Sequence, residues 1–375
     1  MIGAGWLLER LQHQELCFFC WVPDSVLQSF CRLLTQLTPQ AHSIAADEGA
    51  ALAEAAGYTL ASGKPAVVYL QNSGFGNLVN PLVSLLAPDV CHLPVLLLIG
   101  WRGAPGCADE PQHRLAGASL PALLTALEIP AAVLPPEPEA ADVLIAGIGR
   151  ELRQRGLPQA LLVRPGTLAP EPLTAEPRTG LSRRQALLRL LAWLPPQAVL
   201  FATTGHTCRE LAALRIELGQ RDDRDFLNVG AMGHTAAIAL GFARARPDLE
   251  VVCLDGDGAL LMHLGTLAAV GRLQPPRWTH VLLNNGVHDS VGAQPVANPT
   301  TDFRAIAAAC GYRSLERCSD AAGLDQALAR LGRQPGPRWL EVQTQPGSPP
   351  DLPRPATGPR QRVLRLQQSL EEPDA

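Results

Sequence analysis

Leu254-Asp255-Gly256-Asp257-Gly258-Ala259 reads as an apolar strand running into a Gly-Asp-Gly turn and then a helix, and Leu283-Asn284-Asn285-Gly286 closes the next strand downstream. One helix and one strand fill the interval between Asp257 and Asn285, the length of a single crossover. Parallel strands joined in this way can be neighbours, with both carboxyl ends at the edge where open α/β sheets bind ligands. Asp257 and Asn285 would then reach one cation. Oxygen-only ligands at such an edge suit Mg2+ bridging a diphosphate. Gly256 and Gly258 let the backbone approach phosphate oxygens, and the helix N-terminus adds its dipole. The plainer alternative is an ordinary strand-turn-helix with an Asp N-cap and an Asn turn; it suits a lone Gly-Asp-Gly better than one paired with Asn-Asn at this interval.

The same alternation extends through all 375 residues, a length that allows two domains. Apolar runs at 16–21, 66–70, 95–99, 160–163, 199–202, 251–255, 281–283 and 339–342 read as buried strands. Helices are expected after Asp24 and at 48–62, 77–86, 182–194, 208–218, 234–244 and 258–273. This pattern suits an α/β fold with mainly parallel sheets covered on both faces. A proline-rich linker at 167–181 divides the chain into halves at 1–166 and 182–346. Residues 347–375, rich in proline and arginine, are expected to form an extended arm.

Composition removes several classes of function. Hydrophobic residues make up 47% and charged residues 18%, so each half can build a core. A net charge of −4 without a basic block argues against nucleic acid or a membrane surface as a partner. The longest apolar run, 93–100, is too short to cross a bilayer. The N-terminus lacks the pattern of a secretory signal. Nine cysteines show no framework spacing, and the one CxxC, Cys17 to Cys20, lies in an apolar run, so a reducing, cytoplasmic setting is expected. Of 31 basic residues only Lys64 is a lysine, and Pro65 follows it, which excludes a Walker A loop and disfavours Schiff-base chemistry. Gly74-Phe75-Gly76 opens like a dinucleotide loop but lacks the third glycine.

The Gly-Asp-Gly and Asn-Asn pairing resembles the thiamine-diphosphate-binding motif. The resemblance implies that Asp257 and Asn285 hold Mg2+ through their side chains and Val287 through its carbonyl. It also implies a glutamate in the other half that hydrogen-bonds the aminopyrimidine ring. Ile44-Ala45-Ala46-Asp47-Glu48-Gly49 offers Glu48 at the start of an Ala-rich helix. In an apolar pocket its pKa would rise, keeping a proton to share with the ring. A first-turn glutamate favoured by the helix dipole is the plainer alternative.

Further segments occur in order: Val22-Pro23-Asp24-Ser25, Gln71-Asn72-Ser73-Gly74, Asn80-Pro81-Leu82, Gly100-Trp101-Arg102-Gly103, Asp109-Glu110-Pro111-Gln112-His113, Thr204-Gly205-His206-Thr207, Gly230-Ala231-Met232-Gly233-His234 and Asn285-Gly286-Val287-His288-Asp289-Ser290. Together they resemble the phosphonopyruvate decarboxylases, thiamine-diphosphate-dependent enzymes with the sulfopyruvate decarboxylases as near relatives, over residues 15–355. The resemblance implies two Rossmann-like domains without a middle domain. A pyrimidine-binding one spans 1–166 and a diphosphate-binding one spans 182–346. It implies a carboxy-lyase that converts 3-phosphonopyruvate to phosphonoacetaldehyde and CO2. It also implies a homodimer or larger homo-oligomer with the active site at the subunit interface.

By the same resemblance Asp24 is the acid that returns a proton after CO2 leaves, although Asp24 and Ser25 are also good helix N-caps. His113 and His288 join Glu48 and Asp24 as catalytic candidates. Asn72, Thr204, His206, Gly230, Met232, Gly256, Gly258 and Ala259 are expected around the cofactor. Asp24, Ser25, Arg102, Gln112, His113 and Asp289 are expected at the substrate. A phosphonate needs cationic donors; Arg102 is the first candidate, with Arg209 and Arg354 behind it. Trp21 stands where the family carries glycine and is expected to narrow the pocket beside Asp24. The alternatives are sulfopyruvate or another 2-keto acid as substrate, a nicotinamide oxidoreductase, and a non-catalytic cofactor-binding subunit. Retention of both Glu48 and Asp257 argues against the last.

Overall fold

The computed structural model describes residues 1–170, 180–349 and 351–371. Residues 171–179 of the expected linker, together with residues 350 and 372–375 of the expected arm, lie outside the described residues. The chain forms two compact units, Met1–Thr174 and Ala175–Ala375.

In the first unit the strands are β1 (Phe19–Trp21), β2 (His42–Ile44), β3 (Ala66–Gln71), β4 (Val95–Gly100), β5 (Ala131–Val133) and β6 (Gln159–Val163). The helices are α1 (Ala4–His13), α2 (Gln28–Leu34), α3 (Glu48–Ser62), α4 (Phe75–Pro81), α5 (Pro111–Ala126) and α6 (Pro138–Arg155). The sheet is wholly parallel, in the order β2-β1-β3-β4-β6-β5. Side chains alternate across its pleat, and both faces are buried, which is why these strands read as unbroken apolar runs. Val68, Leu70, Leu97 and Ile99 pack with α3, α4 and α5. Val67, Tyr69, Leu96 and Leu98 pack with α1, α2 and α6.

The second unit contains β7 (Val199–Ala202), β8 (Asp225–Leu227), β9 (Val251–Gly256), β10 (Trp278–Asn284), a short hairpin of β11 (Val287–His288) and β12 (Gln294–Pro295), β13 (Ser314–Cys318) and β14 (Arg338–Gln343). Its helices are α7 (Arg183–Trp193), α8 (His206–Glu217), α9 (Thr235–Ala245), α10 (Asp257–Met262), α11 (Gly265–Leu273), α12 (Phe303–Ala309), α13 (Ala321–Leu331) and α14 (Pro359–Glu371). The main sheet is again parallel, in the order β13-β14-β10-β9-β7-β8. In each sheet the winding reverses near the centre, at β1/β3 and at β7/β9, and again at the edge, between β5 and β6 and between β13 and β14. Open α/β sheets bind their ligands in the crevice at such a switch point.

Several elements depart from expectation. The expected helix 258–273 is broken at His263 into α10 and α11. The expected helix 77–86 begins earlier, at Phe75, and after Pro81 becomes a π-turn over Leu82–Leu86; proline has no N–H for a regular α-helical bond. The ends of the expected linker are built into the units. Ile2 bridges Leu168 in the first, and Gln345 donates its N–H to the Leu181 carbonyl in the second. The arm is not wholly extended, because α14 occupies much of it. That helix starts on a proline, the residue best suited to a first helical position. Arg362 and Arg365 tie it to Asp222 at 3.1 and 2.6 Å. No helix among the described residues is long and apolar enough to cross a membrane.

Trp21 does not narrow a pocket. It is fully buried in the α1/α2/α6 core, with its ring stacked on Tyr69 at 5.5 Å between centroids. The Tyr69 hydroxyl in turn accepts the Asp24 N–H at 3.3 Å. Replacing Trp21 therefore opens a core cavity. Trp21→Ala is expected to cost about 3–5 kcal/mol in urea unfolding; a cost below about 1 kcal/mol would show that the ring is not a core element.

Candidate active site

In the second unit the cleft sits at the β7/β9 switch point, lined by Thr203 and Thr204 after β7 and by Gly256 and Asp257 at the end of β9. Pairing of Leu283 with Gly256 sets the end of β10 level with the start of α10. This register brings Asp257, Asn285 and Val287 together. Asp257 is 3% exposed. One carboxylate oxygen accepts the Gly258 N–H at 2.9 Å and the other the Gly286 N–H at 2.6 Å. Burial pushes its pKa up to about 6, and the two N–H donors pull the other way. Asn285 Oδ1 accepts the Val287 N–H at 3.1 Å. Val287 pairs with Pro295, which has no N–H to give to its carbonyl. A buried anion beside an amide oxygen and a carbonyl oxygen makes a donor set that fits a hard divalent cation. Asn284 turns the other way, and its amide donates to Glu341 at 3.0 Å.

Around this centre the cleft is walled by Thr204, His206, Met232, Gly258, Ala259 and His288, among others. His206 follows Gly205, whose φ of +92° suits glycine, and its ring Nδ1 lies 3.0 Å from the Ser348 hydroxyl. Burial, aided by the Arg183 charge, lowers His206 to about 4. Burial likewise lowers His288 to about 4, against the pull of Asp289. Both rings are thus neutral near pH 7. His288 lies so close to Gly258 that a methyl group there would overlap it. Met232 is held by a turn with Ala231 and Gly233 at positive φ. Gly230 lies in that turn, outside the cleft wall. Asp289 was expected at the substrate, but both of its oxygens are taken up within the unit, by Arg183, Asn285 and Gly347.

In the first unit the functional side chains gather at the carboxyl ends of β1, β3 and β4 and at the start of α3. Asp47 caps α3 by accepting the Ala50 N–H at 3.0 Å. Glu48 is 5% exposed and accepts a hydrogen bond from Asn77 at 2.7 Å. Burial raises its pKa, and the Asn77 bond opposes the rise. Its carboxylate lies over Gly74, where any Cβ would collide with it. The run beginning Gly74-Phe75-Gly76 is therefore the floor under Glu48 rather than a dinucleotide loop. Asn77, which sequence reasoning missed, follows it directly.

Asp24 is wholly buried. One oxygen accepts the Val26 N–H at 2.9 Å; the other has no partner among the described residues and faces Gly100. Burial pushes Asp24 up to about 6, while the Arg102 charge draws it down. Arg102 is less free than a phosphonate ligand was expected to be. It grips Asp109 through two nitrogens at 2.7 and 2.5 Å and donates to the Ser25 hydroxyl at 3.0 Å. Asn72 was expected at the cofactor. Its amide instead pairs with the Arg102 backbone, donating at 3.0 Å and accepting at 2.8 Å. Gln112 and His113 stand in the first turn of α5, where Gln112 donates to Glu110 at 2.9 Å. Arg209 is half-buried on α8, and Arg354 is exposed.

Fold and cleft define an α/β protein with oxygen donors for a cation at one sheet edge and a buried glutamate at another. Residues 1–120 match the N-terminal TPP binding domain of the thiamine pyrophosphate enzymes, and residues 205–342 match the C-terminal TPP binding domain. The chain is 38% identical to a phosphonopyruvate decarboxylase of Streptomyces hygroscopicus, covering 100% of this chain and 95% of the relative. It is 36% identical to one from Streptomyces viridochromogenes, covering 100% and 96%. It is 25% identical to a sulfopyruvate decarboxylase of Methanosarcina acetivorans, covering 97% of each. The chain belongs to the thiamine pyrophosphate enzyme family, in the branch of the phosphonopyruvate decarboxylases.

The raised pKa of Asp24 makes its burial a stability cost at neutral pH. An unfolded aspartate titrates near 4, so the folded state holds the extra proton between roughly pH 4 and 6. The stabilisation is complete below that window and is lost as pH rises through it. Asp24→Asn is therefore expected to exceed the parent in stability at pH 8, by up to about 3 kcal/mol, with the difference vanishing near pH 4. Urea unfolding at the two pH values checks this; equal stability at pH 8 would refute it.

Proposed function

We propose that the chain catalyses the thiamine-diphosphate- and Mg2+-dependent, non-oxidative decarboxylation of 3-phosphonopyruvate to phosphonoacetaldehyde and CO2. The observation that carries the substrate assignment is the likeness to two phosphonopyruvate decarboxylases along the whole chain. The geometry supports the chemistry. Asp257, Asn285 and the Val287 carbonyl would hold Mg2+ and through it the diphosphate, with Thr204 and neutral His206 alongside and Met232 supporting the cofactor. When bound, the cofactor supplies the electron sink that makes loss of CO2 possible. Glu48, whose pKa is raised by burial, exchanges a proton with the aminopyrimidine. Asp24 holds a proton at the carboxyl end of β1 and returns it to carbon, with His113 and His288 as the other candidates. Arg102 is a cation whose charge acts on Asp24 and keeps 21% of its side chain exposed, so it is the first choice for the phosphonate, with part of its charge shared with Asp109.

The reading includes an assembly of at least two copies, with Glu48 of one serving the cation centre of another. All nine cysteines are free, which supports a reducing, cytoplasmic setting. Sulfopyruvate is the second substrate to consider, on the strength of the more distant relative. The nicotinamide alternative loses support because Glu48 fills the space over Gly74.

CO2 release from phosphonopyruvate is expected to require both thiamine diphosphate and Mg2+ and to exceed release from sulfopyruvate; the reverse preference would overturn the substrate assignment. Asp257→Ala is expected to lose Mg2+-dependent cofactor binding. Glu48→Gln should still bind cofactor while turnover falls by about 10²–10⁴. Full turnover in Glu48→Gln would remove the glutamate from the mechanism.

A further inference from the structure

Arg183 opens α7, yet only 6% of its side chain is exposed. A buried guanidinium must have its charge and its donors answered. Two of its nitrogens donate to Glu210 at 3.0 and 3.3 Å, and one of them also reaches the Gly347 carbonyl at 3.0 Å. The third donates to Asp289 Oδ2 at 3.0 Å. Asp289, with its side chain 5% exposed, accepts the Gly347 N–H at 3.0 Å on its other oxygen. Nothing in the proposed reaction uses Arg183, Glu210 or Asp289. Yet Asp289 Oδ2 also accepts a hydrogen bond from Asn285 Nδ2 at 2.8 Å.

That last bond selects between two orientations. A half-turn of the Asn285 amide would exchange its oxygen and its NH2 group, and an NH2 group turned toward a cation would repel it. An ionised carboxylate accepts and cannot donate, so Asp289 takes the NH2 and turns Oδ1 the other way. The Val287 N–H, which donates to Oδ1, favours the same orientation. Two carboxylates around one guanidinium also leave one net negative charge beside the cation centre. We propose that Asp289, locked in place by Arg183, is the positioning residue that sets the Asn285 amide with its oxygen toward the divalent cation. This rests on the reading of Asn285 as a cation ligand. Asp289 is then not a substrate contact.

The test measures cation binding on the full-length chain, separately from turnover. Free Mn2+ is titrated by electron paramagnetic resonance, and the Mg2+ dependence of thiamine diphosphate binding is followed by calorimetry. Asp289→Asn keeps the shape but lets position 289 donate, so the Asn285 amide is no longer held one way. Its half-saturating Mg2+ and Mn2+ concentrations are expected to rise about 10–100-fold, the usual effect of losing a partner that orients a metal ligand. KM for phosphonopyruvate at saturating Mg2+ should stay close to that of the parent, because the substituted side chain does not touch the substrate. Arg183→Lys keeps the charge without the planar fork and should weaken both cations in the same direction but less; it carries the test if Asp289→Asn does not fold. Unchanged cation affinity with a raised KM would make Asp289 a substrate residue. Unchanged affinity with a lowered melting temperature would make it a structural brace. Either result overturns the proposal. A parent chain that bound neither Mn2+ nor thiamine diphosphate would sink the cofactor reading itself, and this inference with it.

Discussion

The proposed cation centre depends on one carboxylate that bridges two strand ends. Asp257 accepts the N–H of Gly258 at the start of its own helix and the N–H of Gly286 beyond β10. The bridge thus sets where the β10 end lies relative to the β9 end, and Asn285 and Val287 follow from it. The parallel register supplies the coarse alignment, and the two N–H bonds fix the carboxylate between the two strand ends.

Glu48, Asp24 and Asp257 share a condition that ordinary folding would avoid. Each is a carboxylate under a few per cent exposure with its pKa raised by burial. Arg102 and Arg183 lie nearby, but each is occupied by another acid, Asp109 or Glu210 with Asp289. This separation is physically consistent: a guanidinium on Asp257 or Glu48 would lower the pKa and close the site to a cation or to a shared proton. The fold accepts destabilised acids at its switch points and places the neutralised pairs around them.

The strands of both sheet centres were legible because two-sided burial makes unbroken apolar runs, and the meeting of Asp257 with the end of β10 was legible because one crossover separates Asp257 from Asn285. The short outer strands β2, β5, β8 and β13 were not. They are three to five residues long and partly polar or exposed, as in Ser314-Leu315-Glu316-Arg317-Cys318. Side-chain partnerships escaped for a different reason. Asn77 on Glu48 and Arg183 on Asp289 join positions far apart in sequence, and no local pattern encodes them. Arg102 shows the limit most clearly. Its residue type suited an anion, and Asp109, only a few positions on, had already claimed it.

The tail shows what a stretch of proline and arginine can do once folded. β8 is the outermost strand of its sheet, and an outer strand offers unpaired N–H and C=O groups to any other chain. Helix α14 is laid against it. Two arginines of that helix hold Asp222, and Arg224, just before the strand, donates to the Ser369 carbonyl at 3.1 Å. Helix α14 therefore shields an outer strand that would otherwise present an open edge to a second sheet.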